Sequence, residues 1–129
     1  MVIKYLNYFD ALIIHFRLMK RCGENRFGVD SRALVESALA RPQQSAVYEN
    51  ADIIRQSATL YFGLIKNHPW FGGNKRTATA LVDEFLYQNG YQIKCEIAEI
   101  IELVLAIESD QFKVDEIEDW LRQKVVKYQ

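Results

Sequence analysis

Between residues 68 and 76 the chain gathers a histidine, a glycine pair, an asparagine and two cations, in the stretch KNHPWFGGNKRTATA that runs from 66 to 80. Each type brings something an anion site needs. Gly72 and Gly73 strip side chains from the backbone, so a ligand can approach it closely. Lys75 offers a point charge, and Arg76 a fork that can hold two phosphate oxygens at once. His68 titrates near cellular pH as a type, so it can take a proton from an attacking hydroxyl as a general base. The bland alternative is a glycine turn, a capping Asn74 and two solvated cations. The stretch is no Walker A loop, because GGNKRT lacks the G-x-x-x-x-G-K-[ST] spacing.

Helices should position these groups. Leu6, Phe9, Leu12, Ile13, Phe16 and Met19 recur at helical spacing, so residues about 4 to 21 should form an amphipathic helix ending near Cys22-Gly23. His15 lies within it, as an ordinary helix histidine or as a ligand. Asp30 can cap a short helix through Leu34, Ala38 and Leu39, which Pro42 should end. A second strong apolar face, on Ile53, Ile54, Ala58, Tyr61, Leu64 and Ile65, runs from about 52 to 66 and stops just before His68. A further helix should span about Asn74 to Gln88, with Gly90 suited to its αL end; Asn89-Gly90 could instead turn a hairpin. Its N-terminus then falls at Gly73-Asn74, where unpaired backbone N–H groups and a partial positive charge attract phosphate. Ile97, Ile100, Ile101, Val104 and Leu105 continue the pattern, and Asp115 with Glu118 resembles a capping box before the last helix. The expected fold is all-α: a bundle of about six helices with at most a short strand or hairpin near Tyr91–Ile93.

At 129 residues the chain suits one domain over 1–129, long enough to bury a single core. The net charge of −1 hides an asymmetry, with 11 Lys/Arg against 6 Asp/Glu over residues 1–76 and 5 against 11 over 77–129. Direct nucleic-acid binding is disfavoured without a strongly basic domain. Cys22 and Cys95 form no CxxC pair and read as reduced thiols or small hydrophobes. No segment reads as a cleavable leader or a membrane span, so the expected location is cytoplasmic.

The string HPWFGGNKR resembles the H-[PX]-F-x-[DE]-[GA]-N-[GK]-R motif of the Fic/Doc family. It is most similar to the Doc (death-on-curing) toxin branch, because Lys75 stands where adenylylating Fic enzymes usually have glycine. RALVESALARPQQSAVY before it, TALVDEFLYQNGY after it and the total length resemble the compact all-α Doc layout. The resemblance implies the toxin of a type II toxin–antitoxin pair, a transferase that moves the γ-phosphate of ATP to a Ser or Thr hydroxyl of a translation factor similar to elongation factor Tu. Transfer of AMP or another nucleotidyl group is the alternative, and a non-catalytic nucleotide- or antitoxin-binding protein is the third. It also implies an antitoxin whose C-terminal segment folds on binding near the motif. By position, His68 becomes the base, Gly73 and Asn74 the anion site, Lys75 and Arg76 the phosphate ligands, and Trp70 the aromatic anchor of the loop.

Three details qualify the resemblance. The motif acid that holds Mg²⁺ in the family is Gly72 here. Phosphate charge would then be neutralised by Lys75, Arg76 and the helix terminus, by Mg²⁺ carried mainly on the nucleotide, or by a carboxylate from elsewhere. Gly72→Asp should restore Mg²⁺-dependent activity if the missing ligand limits a transferase. Thr79 replaces the second motif arginine of adenylylating members. SAVYEN, residues 45–50, fits the family's inhibitory pattern, against the plainer reading of a loop entering the next helix.

Overall fold

The computed structural model describes residues 2–128, so the two ends of the expected domain lie outside the described residues. Six helices follow in order: α1 (Tyr8–Cys22), α2 (Arg32–Glu49), α3 (Ile53–Asn67), α4 (Asn74–Gln88), α5 (Ile97–Glu108) and α6 (Val114–Lys124). Two three-residue strands, β1 (Tyr91–Ile93) and β2 (Val125–Lys127), pair antiparallel with Tyr91 opposite Lys127. The fold is an all-α bundle, with the strands joining the end of α4 to the end of α6. No helix of the described residues is long and apolar enough to cross a membrane.

Helix α3 is the axis. Its residues are buried on most sides, from Ile54 through Ala58, Leu60, Tyr61 and Leu64 to Ile65, and α2, α4, α5 and α6 all pack against it. An apolar stripe of that width, on a helix with Asp52 accepting from Arg55 N–H as its N-cap, buries itself because few of its faces can be left in water. The charge asymmetry of the sequence resolves into ion pairs that tie the basic first half to the acidic second. Arg55 meets Asp115 at 2.6 Å and Glu118 at 3.0 Å, and Lys66 meets Asp110 at 2.7 Å, while Arg122 meets Asp52 at 2.9 Å in the reverse sense. Those carboxylates hold the Arg55 guanidinium above its ordinary pKa.

Five local expectations need correcting. Helix α1 begins at Tyr8, because Asn7 and Asp10 form a reciprocal cap: Asp10 N–H donates to Asn7 Oδ1 and Asn7 N–H to Asp10 Oδ2. Ser31, rather than Asp30, caps α2. Pro42 does not end that helix; it lies buried inside it, and α2 continues to Glu49. The loss of one helical N–H is outweighed by packing along α3, a tertiary override of local propensity. The box at α6 is set by Glu116, which accepts from Lys113 N–H at 2.7 Å, while Asp115 and Glu118 turn to Arg55. The SAVYEN stretch is the last turn of α2 and not a loop. Glu49 pairs with Arg55, at the end of α3 opposite His68.

Candidate active site

The chain leaves α3 at His68, which adopts the left-handed conformation, φ 50° and ψ 54°, as the helix C-cap. This geometry is uncommon for a residue with a side chain. It turns the backbone sharply, so that Pro69 and Trp70 run beside residues 28–31 of the α1–α2 connection. Asp30 and Ser31 N–H groups both donate to Pro69 O, and Phe71 N–H donates to Gly28 O. Val29 and Trp70 thus form an isolated antiparallel bridge. The loop is strapped down on one side by backbone alone.

Asn74 straps it on the other. Its Oδ1 accepts from Trp70 N–H at 3.0 Å and its Nδ2 donates to Trp70 O at 2.8 Å, so the amide replaces a backbone partner for a buried peptide unit. The same Nδ2 lies 3.3 and 3.4 Å from the two nitrogens of His68. Being nearly equidistant, it engages neither nitrogen along its lone pair, and the exposed imidazole keeps a nitrogen free to accept a proton.

Beneath the loop lies a contact between residues far apart in sequence. Trp70, 1% exposed, stacks on fully buried His15 with ring centroids 4.1 Å apart and planes 15° from parallel. Gly28 N–H donates to His15 Nε2 at 2.9 Å. Nε2 is therefore the acceptor, and Nδ1 carries the proton that reaches Thr77 Oγ1 at 2.8 Å. Burial pushes the His15 pKa down to about 4, as expected when charging would cost both desolvation and a hydrogen bond. His15 is a neutral pin joining α1, the 28–31 segment, Trp70 and α4. Trp70 Nε1 is buried with no hydrogen-bond partner, a polar cost this packing carries.

The two glycines differ. Gly73, at φ 68°, occupies the N-cap of α4, and no side chain caps the first turn, so its leading N–H groups are left for solvent or an anion. A Cβ at Gly73 would strike the flexible Met19 thioether. A Cβ at Gly72 would strike the backbone carbonyl of Arg26. The absent acid is thus no vacancy awaiting a carboxylate: the 24–31 segment covers that position, and Gly72→Asp cannot be accommodated unless that segment moves. Nor is a metal centre assembled from elsewhere. Among the described residues no group of three or more His, Cys, Asp or Glu side chains could hold a metal ion; Mg²⁺ is typically held by one or two carboxylates and the phosphates of its nucleotide, an arrangement that needs no such group.

The two cations flank the helix start, each facing a carboxylate. Lys75 Nζ lies 3.0 Å from Glu108 at the end of α5, and Arg76 lies 3.9 Å from Glu24. Both pairs are exposed enough to exchange a carboxylate for a stronger anion. From Lys75 and Arg76 a groove of about 810 Å³ runs along α4 between Thr79, Asp83, Ile93, Ile100 and Val104. The expected site residues His68, Gly73, Asn74, Lys75 and Arg76 therefore meet around one helix terminus, with Trp70 buried beneath it. Sequence reasoning missed three neighbours. His15 stood in plain view on α1, but nothing local says that its partners are Thr77 and Trp70. Glu108 reaches Lys75 across the bundle, and Asp83 was legible only as the position two turns beyond Lys75 on one face of α4.

With that geometry in hand, comparison with known proteins is informative. The model of the Fic/DOC family matches residues 5–86, more than half of the chain and the whole stretch from His68 to Arg76. The chain belongs to the Fic/DOC family. Among solved structures it is similar to the N-terminal Fic domain of a Bartonella quintana protein described as a cell filamentation protein and VirB-translocated Bep effector. That likeness has a TM-score of 0.51 and 14% identity, over 73% of this chain and 47% of the other. At that identity the likeness is one of fold, and this chain spans about half the length of that domain. No curated protein matches in sequence. Proteins of the Fic/DOC family are typically transferases, which accords with a base beside an anion cradle.

Proposed function

We propose that this Fic/DOC protein is a cytoplasmic toxin of a toxin–antitoxin pair. It transfers the γ-phosphate of ATP to a Ser or Thr hydroxyl of a translation factor similar to elongation factor Tu and so arrests translation. The observation that carries the transferase reading is the pairing of an exposed, oriented His68 with the uncapped start of α4 and its two cations. The phosphoryl group sits at Gly73, Asn74, Lys75 and Arg76, where backbone N–H groups and side-chain charge meet its oxygens. The acceptor hydroxyl gives its proton to His68 as its oxygen bonds to the γ-phosphorus; the bond from that phosphorus to the bridging oxygen breaks, and ADP leaves. Asn74 sets the distance between base and cradle because it is bonded to both sides of Trp70.

Thr79 favours phosphoryl over nucleotidyl transfer. At the place of a second motif arginine its hydroxyl is tied to Lys75 O and Tyr61 and gives no positive charge to a longer phosphate chain. The partner in this reading is an antitoxin whose C-terminal segment folds as a helix against an apolar surface near the motif. Ile97, Ile101 and Leu105, exposed along one face of α5, offer such a surface.

The test is label transfer to elongation factor Tu and to bacterial lysate from ATP labelled at the α or the γ phosphate. Label from γ alone, lost by about 10²–10⁴-fold in His68→Ala with the melting temperature unchanged, is the expected result. Label from α would replace it with nucleotidyl transfer. No label from either, with ATP still bound, would leave a nucleotide-binding protein without catalysis.

A further inference from the structure

Between α2 and α3 lies a cleft of about 440 Å³ that shares no residue with the stretch from His68 to Arg76. Ser37, Arg41, Gln44 and Tyr48 recur at helical spacing and form its α2 wall. Thr59 of α3 faces them, and Glu49 closes the far end. Arg41 enters the cleft already positioned. Its stem crosses α3 at Gly63, where an added Cβ would lie 2.6 Å from Arg41 Cδ, whereas the Ala38 backbone stands back at 3.4 Å. A glycine inside a helix is unfavourable, and the space freed here is filled by the arginine stem. The guanidinium lies over the Phe62 ring, 5.4 Å from its centroid, which restrains it. Arg32, Arg55 and Arg122 each meet a carboxylate; Arg41 has none within ion-pair distance among the described residues.

The other polar groups divide by role. Ser45 Oγ donates to Pro42 O and Thr59 Oγ1 to Gln56 O, each at 2.7 Å, so these buried hydroxyls can only accept from the cleft. The Ser37 and Tyr48 hydroxyls and the Gln44 amide make no hydrogen bond among the described residues and stay free to donate. Glu49, with Oε2 held by Arg55 at 3.2 Å, repels an anion from the end opposite Arg41, about 12 Å away along α2. Ser45, Tyr48 and Glu49 of the SAVYEN stretch thus line this cleft rather than the surroundings of His68.

We propose that the cleft binds a small polyhydroxylated anion, a sugar phosphate or a sugar acid. Its oxyanion lies on the Arg41 fork beside Ser37 and Gln44, and its hydroxyls run toward Ser45, Thr59 and Glu49. Arginine holds carboxylate and phosphate oxygens through the same bidentate geometry. A cavity of this size suits a small molecule rather than a bare ion. Walls of hydroxyl, amide and carboxylate offer little to an apolar ring and match a ligand that both donates and accepts along its length. The site stands apart from the transferase reading and does not depend on it.

Chemical-shift titration of the full chain by NMR decides it, with glucose-6-phosphate, gluconate, glucose and inorganic phosphate as probes and Arg41→Gln and Lys75→Ala as variants. One or both anionic sugars, at millimolar concentration, should shift the backbone amides of Ser37, Gln44 and Thr59. Glucose should bind at least about tenfold more weakly, the scale of a hydrogen bond to a charged group. A response to glucose-6-phosphate alone would make the ligand a phosphate, and one to gluconate alone a carboxylate. Inorganic phosphate should bind here more weakly than glucose-6-phosphate, because it leaves the hydroxyl wall unfilled; equal binding would overturn the polyol. Arg41→Gln should lose about tenfold or more with its melting temperature unchanged, while Lys75→Ala keeps the binding. Shifts confined to the start of α4 and lost in Lys75→Ala would overturn the proposal and leave only the phosphate site there. Glucose binding as tightly as the anions, undiminished binding by Arg41→Gln, or no shift along α2 would overturn it as well.

Discussion

Around Trp70 almost every polar group is engaged: both sides of its peptide unit by Asn74, the neighbouring Pro69 carbonyl by two N–H groups, and His15 at both nitrogens. Two turns along α4, Asp83 faces an open groove with no donor, and between them Lys75 and Arg76 hold only exposed carboxylates. One helix thus carries a rigid end and an adaptable one. The difference separates two tasks of a transferase. A base and the backbone amides of an anion cradle must be fixed in advance, since electrostatic stabilisation works when donors need not reorganise. Charges that greet a departing or arriving ligand must be able to change partners. Substitutions should therefore be costly for folding at the first end and cheap at the second.

Gly72→Ala is the harshest probe of the rigid end. Its Cβ meets the Arg26 carbonyl, which is pinned by the neighbouring bridge, so the expected loss is about 3 kcal/mol, the upper part of overpacking costs. Gly73→Ala meets the movable Met19 thioether and keeps only the strain of a left-handed backbone, about 1 kcal/mol. At the other end Asp83→Leu should change stability least of the three, because the Asp83 side chain is exposed and water screens its charge. A carboxyl raised above its unfolded value contributes stability at low pH that is lost as pH rises through about 6, so the change should favour the variant more at pH 8 than at pH 5. Thermal melts of the three variants check the contrast. A Gly72→Ala protein as stable as wild type would show that the 24–31 segment is loose, and would reopen position 72 to an acid.

His15 offers a smaller and reversible probe. Its folded pKa, about 4, lies below the unfolded value near 6.5, so its share of stability is complete above pH 6.5 and is lost as pH falls toward 4. Between pH 6.5 and 5 that amounts to about 2 kcal/mol. Titration of the His15 ring proton by NMR should show no protonation above pH 5. A His15 that takes up its proton near pH 6.5 would mean that the pin beneath Trp70 is solvated, and the rigid half of the comparison would fail with it.

The legible and illegible parts of the sequence divide along the same line. Helices α3 and α4 were readable to within a residue because broad apolar stripes ended at His68 and began at Asn74, and the motif named six residues that do meet at one helix terminus. The reach of α2 was not readable, since burial against α3 decides whether Pro42 is tolerated and no local rule contains that term. Nor was the obstruction of Gly72. The sequence shows a missing carboxylate, and only the fold shows that the carbonyl of Arg26, 46 positions earlier, fills the space. Contacts of that separation, like His15 with Thr77 or Lys75 with Glu108, leave no periodic trace in one chain.

The smallest effect lies at the junction of the two ends. Glu108 holds Lys75 at 3.0 Å, with both side chains more than two-fifths exposed, so the pair itself contributes little, about 0–1 kcal/mol. Its interest is competition. A phosphate arriving at the start of α4 must take Lys75 from Glu108, and Lys66 also binds the Glu108 carbonyl at 3.3 Å, so the end of α5 stays anchored to α3 when the lysine leaves. Glu108→Gln removes the competing charge without disturbing that anchor and should tighten tripolyphosphate binding by about two- to fivefold, with the melting temperature almost unchanged. The gain should shrink as salt rises, because exposed charges are screened within about 10 Å at 0.1 M. Weaker binding in Glu108→Gln would reverse the assignment, making the carboxylate a group that holds Lys75 in place for the ligand rather than one that the ligand displaces.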